Sequence, residues 1–381
     1  VGDIFTNIQQ SGDEAVLKYT SMFDGVDLNS FEVSDTEINK AQDEVSDELK
    51  SAIQQAKANI HKFHEAQKTE PVKVETQPGV TCWQAKKPIQ KVGLYIPGGT
   101  APLFSTILML AVPAKIAGCE EIVLCTPPDK EGNINPVTLY TAMVCGIDKV
   151  FKVGGIQAIG AMTFGTETIP KVYKIFGPGN QYVTVAKQVA TTFDVAIDMP
   201  AGPSELLVVA DETANPEFVA SDLLSQAEHG VDSQVVLVST DEATIEKVKS
   251  AIETQLKELP RIDMASKAID NSKFVLVQDQ ATALKLIDFY GPEHFIISTK
   301  DDDYFVDNIN NAGSVFIGKY TPESAGDYAS GTNHTLPTNG YAKQYSGVNL
   351  DSFNKAITYQ KITEEGIKHI GEAVELMAEA E

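Results

Sequence analysis

The pattern of hydrophobic and polar positions changes near residue 91. Before about residue 85 the chain is polar, and its apolar positions recur at helical spacing, as in DEAVLKYTSMF and in the segment from Ser46 to Gln67. That segment opens with a serine, a residue that commonly caps helices. From Lys91 onward, short apolar runs alternate with longer helical segments. Strands that alternate with helices of this length predict parallel βαβ units.

Two such α/β units follow one another along the chain. The predicted strands of the first are KVGLYI, EIVLCT, KVFKV and KVYKIF, and those of the second are SELLVVAD, SQVVLVST, KFVLVQD, HFIIST and AGSVFIG. After Gly340 the pattern becomes helical again and stays helical to the end. We therefore predict the α/β class, with two Rossmann-like α/β domains on parallel sheets and helical N-terminal and C-terminal segments.

The length, charge and cysteine pattern of the chain limit its possible partners and location. A chain of 381 residues is long enough for two or three domains. Its formal charge of −23 argues against nucleic acid and anionic membranes as partners. The longest apolar run, APLFSTILMLAVPA, is shorter than the roughly 20 residues that span a bilayer, so we expect a buried core helix. The four cysteines lack CxxC spacing, which favours reduced thiols and a cytoplasmic location.

Glycine-rich turns follow three predicted strands of the first unit, at residues 97–100, 154–155 and 177–180. Glycine between a strand and a helix lets backbone N–H groups approach a phosphate at the positive end of the helix. None of the turns matches GxGxxG or a Walker loop, and each alone is more often a simple tight turn. Three at one end of a parallel sheet favour a nucleotide cleft, and we expect a dinucleotide there.

The segment DLLSQAEHGVDS places polar groups on the last turn of a predicted helix. Gln226 and His229 are three residues apart and share a helix face, whereas Glu228 points elsewhere. We expect Gly230 to end this helix as a C-terminal cap. A glutamine and a histidine facing a cleft could form one edge of a metal site, although such residues at a helix end are usually only solvated or hydrogen-bonded.

Two other segments concentrate polar groups. In GPEHFII, Glu293 and His294 precede an apolar strand, just after a Gly–Pro turn. The segment SAGDYASGTNHTLP contains Asp327 and His334 but scarcely any apolar residue. A loop of that composition cannot be held by its own packing. Either it is disordered, or it folds over a ligand or a partner.

These motifs together resemble the histidinol dehydrogenase family. The resemblance rests on GLYIPGGTAPL, IFGPGN, DMPAGPSELLV, DLLSQAEHG, GPEH and ESAGDYASGTNHTLPT, which occur in the family's order from about residue 11 to the end of the chain. That family oxidises L-histidinol through the aldehyde to L-histidine and reduces two NAD⁺, with one zinc bound per site. The resemblance therefore implies a four-electron, NAD-dependent alcohol dehydrogenase of histidine biosynthesis.

The resemblance also implies roles for individual residues. Three positions match zinc ligands: Gln226, His229 and Asp327. The family's remaining protein ligand is a histidine in a C-terminal tail, a few residues beyond Glu381. Substrate-binding positions are matched by Ser204, Gln226, His229, His294, Asp327, His334 and Glu381. Positions that contact NAD are matched by Tyr95, Gln157 and Asn180.

The chemistry of the implied reaction explains these residue types. Zinc with nitrogen and oxygen ligands is a Lewis acid that can hold an amino alcohol and an imidazole. Loss of hydride from the alcohol needs a base with a near-neutral pKa, a role that we give to His294. Hydration of the aldehyde needs a carboxylate, for which Glu293 is the candidate. Adjacent side chains diverge on a regular strand, so we expect the Gly291–Pro292 turn to bend the chain.

A cysteine could instead attack the aldehyde, as in other aldehyde oxidations. Cys119 and Cys125 are predicted at a helix end and in a strand, where they read as core thiols. We therefore prefer Glu293 acting through water.

The resemblance further implies a homodimer in which the tail of one subunit completes the site of the other, with His334 also contributed across the interface. It implies a discontinuous first α/β domain at residues 1–94 and 206–347, an inserted α/β domain at 95–205, and a helical tail at 348–381. The chain starts without methionine and stops inside a helical pattern, so we expect both ends to be cut.

Several alternatives stay open from the sequence. A chain that lacks the tail histidine could be inactive or weakly active, and the tail could be either disordered or deleted. Another zinc- and NAD-dependent alcohol dehydrogenase, a non-enzymatic NAD- or metal-binding protein and a zinc hydrolase are the other interpretations. A hydrolase would work without NAD⁺, and a simple alcohol dehydrogenase would form one NADH per alcohol.

Overall fold

The computed structural model describes residues 1–98, 102–200 and 202–381. Three helices open the chain: α1 (Gly2–Asp24), α2 (Asp35–Glu44) and α3 (Asp47–Glu65). The predicted serine cap before α3 is confirmed, because the Ser46 side chain accepts a hydrogen bond from the Leu49 N–H. The next two elements are strands, β1 (Val72–Gln77) and β2 (Val80–Pro88), which pair antiparallel. The helical prediction up to residue 85 was therefore wrong for this hairpin. Apolar and polar residues alternate at residues 72–75, a strand signal that the prediction overlooked.

The first parallel sheet contains five strands. They are β3 (Lys91–Tyr95), β4 (Glu121–Thr126), β5 (Lys149–Lys152), β6 (Lys174–Phe176) and β7 (Ala196–Ile197), in the order β5-β4-β3-β6-β7. The connecting helices are α4 (Phe104–Ala117), α5 (Pro136–Val144), α6 (Gly155–Phe164) and α7 (Gln181–Ala190). The apolar residues 104–114 of α4 are mostly buried, as predicted for a core helix. Among the described helices, none is both long and apolar enough to cross a membrane.

The second parallel sheet repeats this plan. Its strands are β8 (Glu205–Ala210), β9 (Gln234–Ser239), β10 (Lys273–Leu276), β11 (His294–Ser298) and β12 (Ser314–Ile317), in the order β10-β9-β8-β11-β12. The helices are α8 (Pro216–Ala227), α9 (Glu242–Gln255), α10 (Ile262–Asp270), α11 (Gln280–Tyr290), α12 (Asp302–Asn308) and α13 (Glu323–Tyr328). In both sheets the first strand along the chain is central. The predicted fold class, two Rossmann-like units with parallel sheets, is confirmed.

The chain ends with β13 (Asn354–Ile362) and α14 (Glu364–Ala380). The prediction of a wholly helical tail was wrong for β13, which pairs antiparallel with β2 and completes a three-stranded sheet. The rings of Trp83 on β2 and Tyr359 on β13 stack with their centroids 5.1 Å apart. Exposed apolar side chains lie along α14, among them Val374 and Met377.

The N-terminal helices pack on the first parallel sheet. Helix α1 contacts α6, α2 contacts α5, and α3 contacts α4. Phe5, Ile8 and Val16 of α1 are buried in one core with Tyr95 and Phe151 of that sheet. The apolar faces of these helices are thus buried against the unit of residues 91–197. The domain division that joins residues 1–94 with 206–347 stays a prediction.

Candidate active site

A cleft of about 1540 Å³ lies at the carboxyl edge of the first sheet. The strand order reverses between β3 and β6, and parallel α/β sheets bind ligands in the crevice beyond such a point. The cleft is lined by the three residues predicted to contact NAD, which are Tyr95, Gln157 and Asn180. Ser204, a predicted substrate contact, and His229, a predicted zinc ligand, also line it. Residues more than 100 positions apart in the sequence thus share one cavity.

The Gly177–Pro178–Gly179 turn is fixed by a buried ion pair between Lys187 and Asp198. The Lys187 ammonium donates to the Gly177 carbonyl (2.8 Å), and the Gly177 N–H donates to Asp198 (2.8 Å). Gly177 has a φ of 129°, and a Cβ there would lie 2.0 Å from the Tyr95 carbonyl oxygen, so only glycine fits. Sequence reasoning missed both charged residues. Asp198 opens the motif DMPAGPSELLV but was given no role there, and Lys187 lies outside the quoted motifs.

Asn180 caps the helix that follows this turn. Its side-chain oxygen accepts hydrogen bonds from the N–H groups of Tyr182 and Val183 at the start of α7. At the start of α6, the Gly155 N–H donates to the Tyr95 hydroxyl (3.1 Å), and burial raises the pKa of Tyr95 to about 12. Tyr95 is therefore neutral and keeps its own proton available for donation.

The predicted catalytic residues lie at the amino edge of the second sheet, whereas the cleft lies at the carboxyl edge of the first. Strands β8 and β11 begin at Glu205 and His294, so these residues lie at the amino edge of the second sheet. Helices α8 and α13 each follow a strand and run back toward this edge. Gln226 lies at the carboxyl end of α8 and Asp327 at that of α13. Asp327 lies beside the start of β11, since its carboxylate is 3.6 Å from His294 Nε2.

Glu293 and His294 both bind the main chain of Glu205. The Glu205 N–H donates to Glu293 Oε2 (2.8 Å), and His294 Nδ1 lies 3.1 Å from the Glu205 carbonyl oxygen. A carbonyl can only accept, so Nδ1 carries a hydrogen and Nε2 is the free ring nitrogen of the neutral imidazole. The two side chains approach within 3.7 Å although they are adjacent in sequence. Gly291 has a φ of 66°, in agreement with the predicted bend.

Buried carboxylates surround His294. Burial raises the pKa of Glu293 to about 7 and that of Glu323 to about 8, although the neighbouring imidazole lowers both. Burial also opposes the charged imidazolium, but Glu293, Asp327 and Glu323 together raise the pKa of His294 to about 10. Sequence reasoning missed Glu323, whose two carboxylate oxygens have no hydrogen-bond partner among the described residues. This excess of buried acids would suit a positively charged ligand.

The residues predicted as zinc ligands fit a metal only as a mixed set. Among the described residues, no three His, Cys, Asp or Glu side chains form a cluster that could hold a metal ion. Gln226 is 1% exposed, yet neither of its amide atoms has a partner in the described part of the chain, which is costly unless a ligand binds there. Asp327 lies near enough to His229 for that histidine to lower its pKa. Glutamine, histidine and aspartate supply the nitrogen and oxygen donors that zinc accepts.

Helix α8 ends earlier than predicted. Its last residue is Ala227, and Gly230 does not adopt the left-handed conformation of a cap. His229 therefore lies in the turn beyond the helix, where it is exposed and its N–H donates to the Gln226 carbonyl (3.1 Å). A turn gives His229 more freedom than a helix would to face either the cleft or Asp327.

The polar loop of residues 329–338 is held by buried hydrogen bonds. Asn333 donates to the Met109 carbonyl (2.6 Å) and accepts from the Thr335 N–H (3.0 Å). His334 lies with Nδ1 2.8 Å from the Asp327 carbonyl oxygen of its own chain and Nε2 3.0 Å from the Thr106 hydroxyl. The loop is therefore ordered by contacts within the chain, and that it folds over a ligand or a partner stays a prediction. These contacts lie within one chain. That His334 is contributed across an interface stays a prediction.

Glu381 and the thiols lie outside this cluster. Glu381 is exposed at the end of α14, a helix that packs against β13. Cys119 and Cys125 are buried, and burial raises the pKa of Cys119 to about 12 and that of Cys125 still further. Both are core thiols, as predicted, and neither forms a thiolate near neutral pH.

Comparisons with known proteins identify the same family as the sequence motifs. The chain matches, over residues 1–381, the family model described as histidinol dehydrogenase. A histidinol dehydrogenase from Bacteroides thetaiotaomicron is 61% identical over 378 residues, covering 99% of this chain and 88% of that protein. The crystal structure of histidinol dehydrogenase from Elizabethkingia anophelis superposes with a TM-score of 0.98 at 57% identity, covering 99% of this chain and 87% of that chain.

A more distant structural likeness concerns the fold alone. A putative methylmalonate-semialdehyde dehydrogenase from Sinorhizobium meliloti 1021, complexed with NAD, superposes with a TM-score of 0.53 at 13% identity. The alignment covers 96% of this chain and 86% of that one. At this identity the likeness reaches no further than the arrangement of the two parallel sheets.

Proposed function

The chain belongs to the histidinol dehydrogenase family, and we propose that it oxidises L-histidinol through L-histidinal to L-histidine with two NAD⁺. Family membership makes it an NAD-dependent oxidoreductase of histidine biosynthesis that acts on a small molecule. The observation that carries the residue assignment is the free, buried Nε2 of His294, which has no hydrogen-bond partner among the described residues and lies 3.6 Å from Asp327.

His294 is the base of the first oxidation in this proposal. The Glu205 carbonyl holds the hydrogen on Nδ1, so in the neutral ring Nε2 can take the proton from the alcohol oxygen as hydride leaves the adjacent carbon. Without substrate, the surrounding carboxylates favour the protonated ring. A cationic substrate or a metal ion beside them would weaken that effect and free Nε2 for catalysis.

Glu293 is the base that acts on water after the aldehyde has formed. Its pKa of about 7 allows it both to take a proton and to return it near neutral pH. The Glu205 N–H anchors Oε2, which leaves Oε1 to face water or the substrate. Glu293 would take one proton from water as the water oxygen adds to the aldehyde carbon, which gives the hydrate as a monoanion. Loss of hydride from this monoanion to the second NAD⁺ leaves the carboxylic acid, with the proton on Glu293.

Zinc belongs to this proposal through its donor set. Gln226, His229 and Asp327 would hold it, supported by the unpartnered amide of Gln226 and the closeness of His229 and Asp327. When bound, zinc supplies Lewis acidity toward the alcohol oxygen and the substrate nitrogens. Ser204 and His334 are the proposed substrate contacts beside it, because Ser204 lines the cleft and His334 binds the Asp327 main chain.

The cleft of the first sheet would bind NAD⁺. Tyr95, Gln157 and Asn180 line it, and the N-termini of α6 and α7 lie beside it, where the positive end of a helix favours a phosphate. His229 and Ser204 line the same cleft, which supports a nicotinamide end that reaches the second sheet.

We also propose a homodimer with shared sites. Exposed apolar residues on α14, such as Val374 and Met377, favour burial against another subunit. Glu381 at the end of this helix would then reach the substrate of the partner. Analytical ultracentrifugation tests this assembly, and a monomer at working concentration with full activity would contradict it.

The decisive test of the function counts NADH against histidinol. Purified protein with zinc, L-histidinol and excess NAD⁺ should form two NADH and one L-histidine per histidinol. One NADH with accumulated aldehyde would indicate a simple alcohol dehydrogenase, and no NADH would overturn the proposal. The matched control is the same assay without NAD⁺, in which histidinol should stay unchanged.

A further inference from the structure

One wall of the cleft contains a carboxylate that the proposed mechanism does not use. Asp24 is the last residue of α1, lies half-buried and lines the cleft next to Gln157. Gln157 Nε2 donates a hydrogen bond to Asp24 Oδ2 at 3.0 Å. The influences on the pKa of Asp24 are burial, which raises it to about 6, and this hydrogen bond, with no cation among them. The Asp24 carboxylate thus accepts a hydrogen bond from the Gln157 amide and has no counter-ion among the described residues.

This hydrogen bond decides which end of the Gln157 amide faces away from Asp24. An ionised carboxylate can only accept, so it selects the NH₂ end and turns the carbonyl end away. Gln157 is fully buried, and its Oε1 has no hydrogen-bond partner among the described residues. The nearby Gly155 N–H is already taken by the Tyr95 hydroxyl. Oε1 can therefore accept a hydrogen bond from a ligand bound in the cleft.

The charge of this part of the cleft disfavours a further anion. Besides Asp24, three acids line the cleft: Glu37, which pairs with Lys152, Glu44 and Asp129. The lining lysine, Lys40, already pairs with Glu44 at 3.3 Å. A phosphate placed against the acceptor Gln157 Oε1 and the adjacent Asp24 carboxylate would be repelled, whereas a hydroxyl could donate to Oε1.

We propose that Asp24 is a positioning residue that holds the carbonyl oxygen of Gln157 toward the cleft, and thereby selects the unphosphorylated ribose of NAD⁺ over the phosphorylated ribose of NADP⁺. This proposal rests on the proposed function only in assuming that the cleft binds a dinucleotide. The recognised group is a ribose hydroxyl, which donates to Gln157 Oε1. In NADP⁺ a phosphate replaces one hydroxyl and meets the negative wall.

The test compares Asp24→Asn with the unchanged protein by equilibrium titration of NAD⁺ and NADP⁺ into the full chain. Asparagine can present either end of its amide, so Gln157 loses its fixed orientation and the wall loses one charge. We expect NAD⁺ to bind about tenfold more weakly and the preference for NAD⁺ over NADP⁺ to fall at least about tenfold, as for the loss of one charge-assisted hydrogen bond. The KM for histidinol should not change. Asp27→Asn, the same change at an exposed position three residues away, should leave both affinities unaltered.

Two further variants separate positioning from a general structural role. Asp24→Glu keeps the charge and should retain the preference for NAD⁺. In a Gln157→Ala background, Asp24→Asn should cause no further loss of NAD⁺ affinity, because Asp24 acts through Gln157. A full additional loss in that background, or an unchanged preference in Asp24→Asn, would overturn the proposal. If NAD⁺ binds normally but histidinol is not oxidised, the proposed function fails and this inference stands, whereas a protein that binds neither dinucleotide refutes the inference.

Discussion

The two parallel sheets share one strand order, yet their candidate functional residues lie at opposite edges. In the first sheet Tyr95, the Gly155 turn and Asn180 follow the carboxyl ends of strands, where helix N-termini favour anions. In the second sheet Glu205 and His294 begin strands, and the carboxyl ends of α8 and α13 meet them. Helix carboxyl ends carry partial negative charge and favour cations.

One edge therefore favours anions and the other favours cations, two preferences that a single edge could not combine. In the proposed function, the first edge binds a dinucleotide at helix N-termini. The second edge gathers carboxylates around an imidazole, which would favour a bound metal ion or ammonium group. Substitutions at the second edge should therefore alter chemistry with NAD⁺ affinity intact, and substitutions at the first should do the reverse.

The largest expected effect comes from His294→Ala. Removal of the proposed base should lower kcat for the first oxidation by about 1,000-fold, within the usual range for loss of a general base. NAD⁺ affinity should stay within about twofold, which isothermal titration measures beside stopped-flow NADH formation. His61→Ala, at an exposed position on α3, is the matched control. A small loss in His294→Ala would remove the base assignment.

Glu293→Gln should act more narrowly. The neutral amide cannot take a proton from water, so oxidation of supplied L-histidinal should slow by about 100-fold, whereas the first NADH from histidinol should still form. Single-turnover measurements with each substrate separate the two steps. Unimpaired formation of histidine from the aldehyde would contradict the role of Glu293.

The smallest effect concerns the first edge, through Gly177→Ala. A methyl group 2.0 Å from the Tyr95 carbonyl must displace the turn, so NAD⁺ should bind roughly tenfold more weakly, as for backbone strain of about 1–3 kcal/mol. The kcat at saturating NAD⁺ should change little. Gly371→Ala is the control, because nothing lies within 4 Å of its added methyl group. A fall in kcat without a change in NAD⁺ affinity would contradict the assignment of NAD⁺ binding to the first edge and chemistry to the second.

Much of the first edge could be predicted from the sequence, because strand, glycine turn and helix are contiguous there. The second edge depends on segments far apart along the chain, and the motifs alone showed Glu293, His294 and Asp327 without showing how they meet. Glu323 escaped prediction, since its importance comes from complete burial. The hairpin β1–β2 was missed although apolar and polar residues alternate at residues 72–75. Strand β13 was missed because its residues are mostly exposed and bury little apolar surface.

The sheet that joins β2 to β13 has a consequence for folding. Its partners are separated by about 270 residues, so this sheet cannot form until nearly the whole chain has left the ribosome. The lone tryptophan of the protein, Trp83, stacks on Tyr359 across that junction. Its fluorescence thus reports on closure of the final strand, while circular dichroism follows the helices, and a time lag between the two signals would reveal the order of assembly.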